Sequence, residues 1–135
     1  MPRRSIVWLV VLLALVIAAC GGNDKTTYTS LTPQKAYDQL SKSTDAVIVD
    51  VRNPNEWMAT GILVGAALIP LSEFEQRAPQ ELPKDEPIYV ICNTGNRSRA
   101  ASEILIKDGY KKVYNIDGGI QAWLSVGLPV EPYSP

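Results

Sequence analysis

Apolar positions along this chain fall into two kinds of run, and the alternation between them predicts its architecture. Short unbroken runs, rich in β-branched and aromatic residues and stopped by polar ones, suit strands buried on both faces of a parallel sheet. One such run lies within Asp45–Arg52, a second over Ala67–Ile69 before Pro70, a third over Ile88–Ile91 and a fourth over Lys111–Ile116. Between them apolar residues recur at helical spacing. Thr32-Pro33 reads as a helix N-cap with proline at the first helical position, followed by Ala36, Tyr37 and Leu40 on one side. Asn53-Pro54-Asn55 reads as a turn, with a short helix beginning at Glu56-Trp57-Met58. Ser72 and Glu75 have the spacing of a capping box for a helix over 73–77, while Pro79, Pro83 and Pro87 read as a surface connection. From Ala100 and Ala101 through Ile104 and Leu105 the spacing predicts a helix over 97–108, closed by Gly109. Asp117-Gly118-Gly119 turns into a last helix through Trp123, closed near Gly127. Strands alternating with helices predict an α/β domain, a mainly parallel sheet with helices on both faces.

The third apolar run stops at Cys92, and that position carries the candidate chemistry. Cys92 falls at the carboxyl end of a strand and faces the amino end of the next helix, where ligand sites of open α/β sheets form. Backbone N–H groups of the loop and first helical turn converge there, and the helix dipole adds partial positive charge. Arg97 supplies a full charge and a planar fork of donors suited to a multi-oxygen anion. Such surroundings favour the nucleophilic thiolate. Asn93, Thr94 and Asn96 either add side-chain donors or simply form the turn, and Gly95 permits a positive φ. Arg99 reads as a solvated helix charge. Asp50 and Arg52 end a strand on the same rim and read as a bracing ion pair. The alternative is a structural cysteine: a thiol at position 92 that is buried, protonated and inert to alkylation would leave only a scaffold.

Composition narrows the chemistry. The 135 residues include no histidine, which excludes a Cys–His or Ser–His pair and any His-ligated metal within this chain. Two cysteines are too few for a thiolate metal cluster, so neither metal nor cofactor is expected. A net charge of −1 gives no electrostatic footprint for nucleic acid.

The amino terminus has the layout of an export signal over residues 1–19: Arg3 and Arg4, then an uncharged apolar run from Ile6 to Ala19. That run is about 14 residues, short of the ~20 a spanning helix needs. Ile17-Ala18-Ala19-Cys20 resembles the bacterial lipoprotein signal box, which implies cleavage before Cys20 and a lipid on that cysteine. Residues 20–30 then form a flexible tether reaching ~30 Å at most, holding the catalytic face near a bilayer. The alternatives are a plain signal peptide or an uncleaved anchor. With Cys20 acylated, Cys92 has no partner in its own chain.

From about Thr29 to Val130 the chain resembles the single-domain rhodaneses, a family of sulfurtransferase modules. The resemblance rests on Asp50-Val51-Arg52 with Glu56-Trp57, on Gly65-Ala66 through Ile69-Pro70, and on the loop Cys92-Asn93-Thr94-Gly95-Asn96-Arg97-Ser98. Gly109-Tyr110, Val113-Tyr114, Gly118-Gly119-Ile120, Ala122-Trp123 and Gly127–Val130 complete it. It implies a five-stranded α/β fold over 31–135. It also implies ping-pong transfer of a sulfane sulfur from a small anionic donor such as thiosulfate, through a Cys92 persulfide, to a thiophilic acceptor. That acceptor would be cyanide, a thiol or a partner protein. Cys92 would be catalytic, and Asn93, Thr94, Gly95, Asn96 and Arg97 would bind substrate. Two positions depart from the family pattern: Ile62 follows Gly61 where the family usually has histidine, and Leu68 replaces a frequent asparagine. The rival readings are a non-catalytic binding module or persulfide carrier and, less favoured, a cysteine phosphatase or arsenate reductase. The last two place one residue more between cysteine and arginine than the four between Cys92 and Arg97.

Overall fold

The computed structural model describes residues 27–135, so the export signal, Cys20 and most of the predicted tether lie outside the described residues. Five strands and five helices alternate: β1 (Thr29–Leu31), α1 (Pro33–Leu40), β2 (Val47–Asp50), α2 (Pro54–Thr60), β3 (Ala67–Leu68), α3 (Leu71–Glu81), β4 (Ile88–Ile91), α4 (Asn96–Lys107), β5 (Val113–Ile116) and α5 (Gly119–Ser125). The strands form one sheet in the order β1-β5-β4-β2-β3. Every pairing is parallel, as strands joined through crossover helices require.

The central strand β4 shows how the two faces are filled. Ile88 and Val90 point into a core that includes Phe74, Ala78, Ala101 and Leu105 of α3 and α4. Tyr89 and Ile91 point the other way, into a core with Ala36, Ile120 and Trp123 of α1 and α5. All four are buried, so β4 is apolar without a break where a half-exposed strand would alternate.

Local signals set several boundaries as expected. The Thr32 hydroxyl accepts the Lys35 N–H at 3.3 Å, with Pro33 opening α1. Helix α4 ends in a Schellman motif: Gly109 N–H bonds the Ile106 carbonyl and Tyr110 N–H the Leu105 carbonyl, with Gly109 at φ 92°.

Three expectations are corrected. Pro54 and Asn55 do not form a turn; they begin α2, capped by Asn53, whose N–H is bonded by Glu56 in a reciprocal capping box. Ser72 is not a cap, because α3 starts at Leu71 after Pro70, with no side-chain cap bond. Pro79 lies inside α3 and does not belong to a connection. Arg77 spans that proline by pairing with Glu73 and Glu81, one turn to either side.

The strand β1 was not located from the pattern. Thr29 and Ser30, assigned to the tether, pair with Tyr114 and Asn115 of β5. Because all strands run the same way, the chain enters β1 at the rim opposite the one where β4 ends.

Candidate active site

Cys92 directly follows β4 and begins a loop clamped from the side by α5. Its carbonyl accepts the Ile120 N–H at 2.8 Å, and the Asn93 carbonyl accepts the Gln121 N–H at 3.2 Å. The approach is close enough to demand glycine at position 119, where a Cβ would collide with the Cys92 carbonyl oxygen and the Asn93 backbone. Gly95 then turns the chain with φ 110° and starts α4. This turn aims the Gly95 N–H back at the Cys92 sulfur, 3.0 Å away.

Ser98, one turn into α4, lies beneath the same sulfur. The thiol donates to Ser98 Oγ at 3.4 Å, and that hydroxyl donates to the Gly95 carbonyl at 3.0 Å. Ser98 belongs to the loop motif, but the pattern of the chain alone gives it no role. The signal was present: a hydroxyl six positions after Cys92 falls at the start of α4, on the side facing the strand end. Cys92 is 1% exposed, so the first of the three conditions for a structural cysteine holds. Its sulfur, at the edge of the apolar core, also meets an amide and a hydroxyl.

The other predicted loop residues divide. The Asn93 side chain is taken by the Gln121 amide at 3.0 Å, which favours its turn-forming role. Thr94 and Asn96 are exposed, and Arg97 is half-buried. The Arg97 guanidinium is not free for an anion: its two terminal nitrogens donate to both carboxylate oxygens of Glu56, at 2.7 and 2.6 Å. The hydrogen bonds from Arg97, with its charge and one from the Asn53 N–H, hold the Glu56 carboxyl down at about 2 against the opposing effect of burial. Glu56 in turn pushes the Arg97 guanidinium up through its hydrogen bonds, with smaller contributions from Cys92 and Asp50.

Asp50 and Arg52 sit on the adjoining strand end, with Asp50 in register with Ile91. Arg52 bonds both Asp50 oxygens, the closest contact being 2.7 Å, and also Thr60 Oγ1 and the Gly61 carbonyl. The pair is fully buried and its donors are spent on protein. It braces the rim.

The model of the rhodanese-like domain matches residues 32–126 of the chain. The chain belongs to the rhodanese-like family. Among its relatives is a sulfurtransferase of Allochromatium vinosum, 37% identical over 68% of this chain and 84% of that protein. A thiosulfate sulfurtransferase, GlpE, of Glaesserella parasuis is 30% identical over 78% of this chain and 94% of its own. The crystal structure of a rhodanese-related protein from Thermoplasma volcanium superposes with a TM-score of 0.70 at 33% identity, covering 78% of this chain and all of that one. The rhodanese-like assignment supports sulfurtransferase chemistry in general, with some sulfur donor and some acceptor as substrates.

Proposed function

We propose that the protein moves a sulfane sulfur from thiosulfate or a similar small anionic donor to a thiophilic acceptor through a persulfide on Cys92. The observation that carries this reading is the Gly95 N–H and the Ser98 hydroxyl converging on one sulfur at the end of β4. In the first half-reaction the Cys92 thiolate attacks the outer sulfur of thiosulfate. A Cys92 S–S bond forms, the donor S–S bond breaks, and sulfite leaves with the electron pair. In the second, cyanide or a thiolate attacks the terminal persulfide sulfur, taking it as thiocyanate or a new persulfide and restoring the Cys92 thiolate. With its proton gone, Cys92 can only accept, and Ser98 Oγ is placed to turn its own proton from the Gly95 carbonyl onto the sulfur.

Mass spectrometry of protein treated with thiosulfate tests the reading. A gain of one sulfur on Cys92, absent in Cys92→Ser, is expected; no adduct would favour a non-catalytic module. Thiocyanate formation should exceed aryl-phosphate hydrolysis, and turnover of the phosphate alone would reverse the choice. An adduct that passes its sulfur only to a protein would mark a carrier.

Export and attachment to a bacterial membrane through a lipid on Cys20 are also proposed, on the sequence argument alone. Metabolic labelling with a fatty acid, abolished by Cys20→Ala, is the expected result. Among the described residues, no helix is long and apolar enough to cross a membrane.

A further inference from the structure

Glu56 enters the site from α2, and its placement does not depend on Arg97 alone. One carboxylate oxygen accepts the Asn53 N–H at 3.0 Å, within the reciprocal cap that opens α2. The same carboxylate meets Arg97 across 41 residues of sequence with two short bonds. Among the described residues the Arg97 side chain has no other hydrogen-bond partner. Asp50 and Arg52 cancel one another, and Glu56 cancels Arg97. The next cation along α4, Arg99, is half-exposed and lies 3.7 Å from Asp117. Among the described residues the rim around Cys92 thus offers an anion the Gly95 amide and the Ser98 hydroxyl, but no uncommitted guanidinium.

We propose that Glu56 is a specificity-determining residue: by occupying Arg97 it lowers the affinity of the Cys92 site for doubly charged donors relative to singly charged ones. This deepens the sulfurtransferase reading and rests on it. A dianion such as thiosulfate must either displace a carboxylate already held by the α2 cap or bind beside it against its charge. A thiosulfonate, which carries the same outer sulfur with one charge fewer, meets less of that repulsion. Glu56 touches no reacting atom and acts through Arg97.

Glu56→Gln removes the charge while keeping an oxygen for the Asn53 N–H. In steady-state turnover of the full chain, KM for thiosulfate is expected to fall about three- to tenfold, the scale of one partly screened charge. KM for methanethiosulfonate should change less than about twofold on the same scale. Glu56→Asp, which keeps the charge, should retain the wild-type preference. Equal changes for both donors, or a rise for thiosulfate, would reduce Glu56 to a structural strut and overturn the inference. A readout independent of sulfur transfer separates the two ideas: site-resolved alkylation of Cys92 by anionic iodoacetate and neutral iodoacetamide. Glu56→Gln should raise the iodoacetate-to-iodoacetamide rate ratio at Cys92; an unchanged ratio overturns this inference alone. Inertness of Cys92 to both reagents would overturn it together with the reading beneath it.

Discussion

Two arginine–carboxylate pairs stand a few residues apart on one rim and have opposite characters. Asp50–Arg52 is 0% and 1% exposed, joins residues two apart in sequence, and spends its remaining donors on Thr60 and the Gly61 carbonyl. Glu56–Arg97 is 25% and 32% exposed and joins α2 to α4, the helix that follows the Cys92 loop. Burial separates their uses. A sealed pair cannot exchange its partner for a substrate, because breaking it strands a charge in a medium that cannot solvate it. A pair open to water can exchange, because solvent compensates the loss. The first is fixed by burial, and the second is the pair whose partner can change.

The contrast can be broken most forcefully at its buried member. Asp50→Asn should destabilise the domain by about 3–5 kcal/mol, the cost of leaving Arg52 charged and uncompensated. Chemical denaturation measures this, and a loss comparable to that of Glu56→Gln would erase the distinction. Next in size is Gly119→Ala, which forces the α5 clamp off the Cys92 carbonyl. A loss of about 1–3 kcal/mol is expected from combined backbone strain and collision, together with reduced Cys92 reactivity. Glu56→Gln itself should cost under about 1 kcal/mol in the same denaturation series.

Smallest is the acid response of the exposed pair. The Glu56 carboxyl is held at about 2, below its ordinary value of 4.5. A depressed carboxyl stabilises the fold fully above its unfolded value, and the contribution disappears as pH falls from about 4.5 toward 2. Partial exposure limits the amount to about 0.5 kcal/mol. Wild type should therefore lose slightly more stability than Glu56→Gln over that window. Parallel curves would show that solvent has already screened the pair.

What could be read from the chain was what neighbours in sequence decide. The unbroken run Ile88–Ile91, the stop at Cys92 and the helical spacing after Arg97 placed the cysteine at a strand end, because burial on both faces of a sheet leaves a continuous apolar signature. Caps at Thr32 and Gly109 were legible for the same local reason. The start of α3 was misread because Ser72 and Glu75 carry capping-box spacing inside a helix that Leu71 already begins; burial of Phe74 and Ala78 over the sheet outweighs a cap preference. Strand β1 escaped because three residues carry too little periodicity, and only pairing with β5 makes them a strand.

Sequence by itself determined an α/β chain with a cysteine at the end of a buried strand, before a glycine-containing loop, since periodicity and turn chemistry act over a few residues. Tertiary structure alone decided which charges meet. Arg97 follows from the loop motif, yet its engagement by Glu56 depends on α2 and α4 being brought to one rim by strands that are not adjacent in the chain. Ion pairing falls off with distance in space and carries no mark of separation along the backbone, so no local pattern could announce it.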